Sequence, residues 1–271
     1  QLYWRGPVLW YFDGASWHMG MSFEGSTPSY SPGGAAVSYS VTLEPHDKRW
    51  LFALELPAKL VPGSRITGDY QMLAGLPVRQ RVRYEMTSHT SYRLGYEGLS
   101  PLERRRGLQL PDGYNWRARA LGQNMRRAAR DGRDMIDQVL PMFRNQQFYY
   151  TLTPPLLGEH PIDDFLFNTR SGFCEHYASA FVFLMRAANI PARIVTGYQG
   201  GEINPIGNYM IVRQSVAHAW AEVWLDDSGW VRVDPTAAVS PQRVESGIAA
   251  SLPATVPLPL LVRGDVAWLR N

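Results

Sequence analysis

Cysteine is almost absent: Cys174 is the only one in 271 residues. An intrachain disulfide framework is therefore excluded. Lysine is nearly as scarce, with only Lys48 and Lys59, so arginine carries the +3 net charge. Those arginines are scattered, with short clusters at 104–106 and 126–127. No nucleic-acid motif accompanies them, and no nucleic-acid partner is expected. No apolar run reaches the roughly 18 residues that a bilayer-spanning helix needs. The start carries no signal-peptide pattern, and it opens on Gln1 rather than Met, which suggests a piece cut from a longer chain. Also missing are G-x-S-x-G, H-E-x-x-H, a P-loop and an EF-hand loop. One cysteine with scattered histidines makes a structural zinc site improbable. No cofactor and no metal is expected.

What is present can build a sizeable core, since 45% of residues are hydrophobic. Residues 1–17 are crowded with aromatics, and Asp13-Gly14 is a hairpin-type turn signal. The stretch 25–34, rich in Ser, Pro and Gly, reads as a loop. Extended runs follow at 36–43, 50–56, 65–71 and 80–90, so residues 1–105 read as an N-terminal antiparallel β region. His18, His46 and His89 fall in it without metal-ligand spacing and read as surface or packed histidines. Residues 106–245 read as an α+β core. Apolar residues recur there at three-to-four spacing from Trp116 to Ala128 and again from about Asp134. A strand is expected at 148–152, and a loop holding His160, Asp163 and Asp164 after it. Residues 246–271, broken by Pro253, Pro257 and Pro259, read as a Pro-rich tail.

Cys174 stands directly before a helical pattern that runs to about Ala188. The first backbone N–H groups of a helix lack intrahelical partners, and the dipole puts partial positive charge there. A thiol at such a point is expected to shift towards thiolate, with a pKa of roughly 3.5–7.5 rather than about 8.5. Downstream, the run 216–225 alternates. His218, Trp220, Glu222 and Trp224 share one face, and Ala219, Ala221, Val223 and Leu225 the other. A nucleophile needs a base, and the base needs a third group to orient it. Cys174, His218 and Asp234 offer one of each.

That assignment carries a register condition. His218 and Asp234 must share a face of the hairpin between 216–225 and 230–235. A three-residue turn at Asp226, Asp227 and Ser228, with Leu225 facing Gly229, meets it. A two-residue turn at Asp227 and Ser228 would put Asp234 on the wrong face. His176 is a poorer base, because residues two apart on a helix do not face each other; His160 is poorer still. Glu222 is a poor orienter, being two residues along the same strand from His218. Glu175 reads as a first-turn helix acid. Trp220 or Trp224 could shield a reaction intermediate, although packing accounts for both.

The motifs Gly172-Phe173-Cys174-Glu175-His176-Tyr177-Ala178, Ala217-His218-Ala219-Trp220-Ala221-Glu222-Val223 and Gly229-Trp230-Val231-Arg232-Val233-Asp234-Pro235-Thr236 occur in family order. With Gly197-Tyr198 between them, the sequence resembles the transglutaminase-like superfamily. The opening Tyr3-Trp4-Arg5-Gly6 and the wording from Arg170 to Ala178 are similar, more narrowly, to the periplasmic domain of bacterial inner-membrane transglutaminase-like proteins. The resemblance implies a papain-like α+β fold, with the nucleophile helix packed on an antiparallel sheet. It implies Cys174 as nucleophile, His218 as base and Asp234 as orienter in a protein-glutamine gamma-glutamyltransferase that works through a thioester. Its substrates would be proteins or peptides with glutamine and lysine-type amines. It would sit on the periplasmic face of the inner membrane, tethered by segments outside this chain. Two alternatives stay open: a papain-like cysteine hydrolase of peptide or cell-wall amides, and a non-catalytic envelope scaffold.

Overall fold

The computed structural model describes residues 2–20 and 28–240. The expected tail at 246–271 lies outside them, as do 25–27 of the expected loop and 241–245 of the expected core. The strands that position the site are β1 (Tyr3–Leu9), β2 (Tyr30–Leu43), β3 (Ala53–Leu54), β4 (Val82–Leu94), β5 (Ala192–Gln199), β6 (Ala217–Leu225) and β7 (Gly229–Val233). The main helices are α1 (Pro101–Leu108), α2 (Trp116–Ala128), α3 (Gly132–Asn145) and α4 (Cys174–Ala187).

The main sheet runs β2-β4-β7-β6-β5-β1-β3, with Leu56–Pro57 pairing separately on β4. All its pairings are antiparallel except β4 with β7, which meet in parallel at Leu94 and Gly229. Ala53–Leu54 pair with β1 while Leu56–Pro57 pair with Ser88 and His89 of β4, so the sheet curls back on itself. The N-terminal strand is thereby built into the same sheet as the β5–β7 strands: Tyr3 lies opposite Gln199 and Trp4 opposite Tyr198.

Alternation along β6 separates two environments. Ala219, Ala221 and Val223 face outwards, and α4 covers them with Tyr177, Ala178, Phe181 and Leu184. The alanines keep that face thin, so the helix can approach closely. The helix has no Gly or Pro between Cys174 and Ala187, and it is buried nearly all round, as its apolar pattern requires. Each aliphatic side chain fully buried there contributes about 1.5–3 kcal/mol. The inner face of the curl holds Trp10, Trp220, Trp224 and Trp230 with Leu94 and Val195.

The structure corrects three local expectations. Residues 101–105, read as the end of the β region, belong to α1. Its start was written in the sequence: Ser100 accepts from the Glu103 N–H at 3.2 Å, and the Glu103 carboxylate accepts from the Ser100 N–H at 3.0 Å. Residues 30–34, read as loop, are strand. They pair with β4 as far as Tyr30 opposite Leu94, and the register shifts just after Gly33 and Gly34. The glycines serve a bulge rather than a loop. The stretch 161–169 is helical, with Pro161–Asp163 running into a wide turn at Asp164–Thr169. Asp163 there caps another helix, accepting from the Arg117 and Ala118 N–H groups at 3.1 and 2.7 Å. Glu202–Asn204 pairs with Tyr209–Ile211 in a hairpin whose turn is closed by the Asn204 side chain, 2.9 Å from the Ile206 N–H.

Candidate active site

Cys174 is the first residue of α4 and is buried, with 8% of its surface exposed. The chain reaches it through Ser171–Gly172, which pairs in parallel with Tyr149–Tyr150. Gly172 is required by close approach: a Cβ there would stand 2.6 Å from the His176 ring. The preceding backbone is thus clamped against the first turn of the helix.

The hairpin of β6 and β7 adopts the register that the assignment needs. Leu225 lies opposite Gly229, Glu222 opposite Arg232 and Ala221 opposite Val233. Gly229 has φ of +77°, and a Cβ there would meet the Leu94 carbonyl oxygen at 2.1 Å. Only glycine can end this turn while β7 joins β4. Asp234, one residue past β7, therefore comes up on the side of His218.

The two side chains meet: His218 Nε2 lies 2.7 Å from Asp234 Oδ2. A carboxylate can only accept, so Nε2 carries the proton. Nδ1 is the nitrogen left over, and it is buried. Cys174 neighbours this ring. Burial works against an imidazolium, but the charge and hydrogen bond of Asp234 outweigh it and Cys174 adds to them. The His218 pKa rises to about 9. Burial alone would raise the Asp234 pKa. The charge and hydrogen bond of His218, the Tyr3 hydroxyl and the Thr236 N–H together hold it below the usual carboxylate value.

Two partners of Asp234 were not found by sequence reasoning. The Tyr3 hydroxyl donates to Oδ2 at 2.8 Å, and the Gln199 side-chain amide to the same atom at 3.3 Å. The amide also reaches the Tyr3 oxygen at 2.8 Å. Burial, with Asp234 nearby, raises the Tyr3 pKa, so its hydroxyl stays a donor. Tyr3 was visible as one ring of an aromatic cluster and as part of the opening motif, with no partner indicated. Its partnership depends on pairing β1 with β5, some 190 positions away, which no local pattern encodes. Arg232 stacks on the Tyr3 ring at 4.0 Å and pairs with Glu55.

The rival residues have other occupations. Glu222 is buried between Arg5, at 2.5 Å, and Arg193, at 2.7 Å, and does not orient His218. His176 turns Nδ1 back to the Phe173 N–H at 3.4 Å, and burial lowers its pKa to about 4. His160 stands at the start of the 161–163 helix, its Nδ1 3.5 Å from the Asn115 N–H. Trp220 lies roughly parallel to His218, with ring centres 6.3 Å apart. Trp224 donates instead to the Gly95 carbonyl at 2.9 Å. Among the described residues no three His, Cys, Asp or Glu side chains gather as a metal site would need.

Residues 119–235 match the transglutaminase-like superfamily, and residues 1–95 match the TgpA N-terminal domain. A protein-glutamine gamma-glutamyltransferase of Pseudomonas aeruginosa is 42% identical over 279 residues, covering 100% of this chain and 42% of that protein. The chain thus spans well under half of that relative's length. The uncharacterized protein YebA of Bacillus subtilis is 36% identical over 139 residues, 48% of this chain and 19% of that protein. The crystal structure of the periplasmic domain of TgpA from Pseudomonas aeruginosa is 42% identical, with a TM-score of 0.89 over 93% of this chain and 88% of that one.

Proposed function

The chain belongs to the transglutaminase-like superfamily, and from that premise we propose that it is a thiol acyltransferase of the protein-glutamine gamma-glutamyltransferase type. Cys174 is the nucleophile, His218 the base and Asp234 the orienter. The observation that carries this reading is the 2.7 Å bond between His218 Nε2 and Asp234, which leaves Nδ1 for the thiol.

The thiol proton passes to Nδ1, and the resulting imidazolium is held by the Asp234 carboxylate. Sulfur attacks a glutamine carboxamide and forms an S–C bond. The Cys174 N–H, at the first position of a helix, is the candidate oxyanion donor. The C–N bond then breaks, and His218 returns the proton to the departing ammonia. A thioester remains. A primary amine attacks it, forming a new C–N bond; the C–S bond breaks, and the amine's surplus proton restores the thiol through His218. Water in place of the amine gives deamidation.

The same similarity supports placing this domain on the periplasmic face of a bacterial inner membrane, in a larger protein that is anchored there. No helix among the described residues is long and apolar enough to cross a membrane. Within the domain, 106–245 carries the triad and 1–105 supplies Tyr3 to it.

The test is incorporation of a labelled primary amine into a glutamine-bearing protein, wild type beside Cys174→Ala. Incorporation by wild type alone is expected. Release of new amino termini without incorporation would mark a cysteine hydrolase instead. Sluggish alkylation of Cys174, with full cellular function retained by Cys174→Ala, would mark a scaffold.

A further inference from the structure

Glu55 stands at the corner where the sheet curls. β3 ends at Leu54 and pairs with β1, whereas Leu56–Pro57 pair with β4. Glu55 makes the turn between them with φ of +53°, a left-handed conformation that suits Gly, Asn or Asp better than a long side chain. A residue held in such a conformation points to a task for its side chain. That side chain is buried, with 5% of the residue exposed. It pairs with Arg232 of β7, and the Tyr92 hydroxyl donates to the same carboxylate oxygen at 3.4 Å.

Backbone and side chain of Glu55 both lead to Tyr3. The Glu55 N–H donates to the Tyr3 carbonyl at 2.8 Å. The carboxylate holds the Arg232 guanidinium over the Tyr3 ring, 4.0 Å from its centre. The Tyr3 hydroxyl donates to Asp234 at 2.8 Å, and Asp234 holds His218 at 2.7 Å. Every link from Glu55 to His218 is thus a direct contact.

Arg232 needs this partner. Two other carboxylates share its face of the hairpin. Glu222 lies opposite it but is already shared by Arg5 and Arg193. Asp234 lies two residues along the chain on the same side. Asp69 acts on Arg5 and Arg193 instead. The remaining titratable neighbours, Tyr3 and Tyr92, are phenols whose pKa burial raises, so they stay neutral. Released from Glu55, the guanidinium would turn to Asp234 and compete with the His218 imidazolium for it.

We propose that Glu55 is a positioning residue for the triad: it keeps Arg232 stacked on Tyr3 and away from Asp234, so that Oδ2 is left to His218, Tyr3 and Gln199. The proposal rests on the acyltransferase reading only through the His218 and Asp234 pair. It gives residues 1–105 a second part in the site, beyond the Tyr3 hydroxyl, by setting the charge balance beside the pair.

The first readout needs no turnover. In a Cys174→Ala background the His218 ring is titrated by NMR and assigned against His218→Gln. Glu55→Gln should lower the midpoint by roughly one pH unit, because an uncompensated cation nearby disfavours the imidazolium. Adding Arg232→Met, which covers the Tyr3 ring without charge, should restore it. Glu55→Gly relaxes the backbone at positive φ and so protects the fold; it should shift the midpoint as Glu55→Gln does. With Cys174 intact, Glu55→Gln should lower kcat several-fold at unchanged KM for glutamine peptide and amine, with recovery on Arg232→Met. A midpoint unmoved in both Glu55 variants would overturn the proposal. So would a shift that persists with Arg232→Met, which would make Glu55 a packing residue only. The expected shift without any amine incorporation by wild type would defeat the acyltransferase reading and leave the positioning role standing, so the two failures are distinguishable.

Discussion

On one face of β6 stand Ala219, Ala221 and Val223; on the other stand His218, Trp220 and Glu222. The first set packs against α4 in a wholly apolar layer. The second faces the interior of the curled sheet, where Arg5, Arg193, Glu222, Arg232 and Glu55 are paired among tryptophans. The outer face fixes where α4 lies, and with it where Cys174 ends up. The inner face fixes how His218 and Asp234 are held. A single strand can serve both because its side chains alternate with period two. The proposed triad is therefore assembled at the end of the sheet where the two environments meet.

The sharpest break in this comparison is chemical. Cys174→Ala should abolish amine incorporation, a loss of at least about a thousandfold. It should barely move the thermal midpoint, because one sulfur at a helix end is a small part of the outer layer. Asp234→Asn comes next. An amide can present its NH₂ to Nε2 and so hold the wrong tautomer. A fall of about 10²–10⁴ in kcat is expected with a near-native melting curve. A change of KM alone would remove Asp234 from the orienting role.

Stability should separate the faces as clearly. Glu222→Ala leaves Arg5 and Arg193 buried without their shared carboxylate and should cost about 3–5 kcal/mol in chemical denaturation. Val223→Ala, its outer-face neighbour, removes only two methyl groups and should cost about 1–3 kcal/mol. Equal costs would mean that the inner ion cluster is not specially sensitive.

The pH dependence follows from His218. Its pKa is raised in the folded protein to about 9 from an ordinary 6.5. Its contribution to stability is therefore full below about 6.5, declines above that, and is gone once pH has passed through about 9. Asp234 has the opposite sign: its pKa is lowered, so its contribution is lost as pH falls below the usual carboxylate range. Measured in a Cys174→Ala background, the stability difference between His218 and His218→Gln proteins should shrink between pH 6.5 and 9. A difference that is flat across that window would contradict the pairing. The smallest effect should come from Tyr3→Phe, which deletes one donor to Asp234 and should cost about 1 kcal/mol or a few-fold in kcat. An unchanged kcat would make Tyr3 a packing residue only.

The sequence alone was enough for Cys174 at a helix start, the alternation of β6, the three-residue turn that ends at Gly229, and the motif order that revealed the family. These are local: helix periodicity, strand period and turn chemistry are written within a few residues of where they act. It also held the Ser100 and Glu103 cap, within a stretch read as β region, and the glycine bulge at 33–34, within a stretch read as loop. Tyr3 and Gln199 on Asp234, Asp163 capping α2, and the Arg5, Glu222 and Arg193 cluster were decided only by the tertiary structure. Each joins segments far apart in the chain, and which distant strands pair is settled by the burial of whole faces, a property of the packed molecule that no short stretch carries.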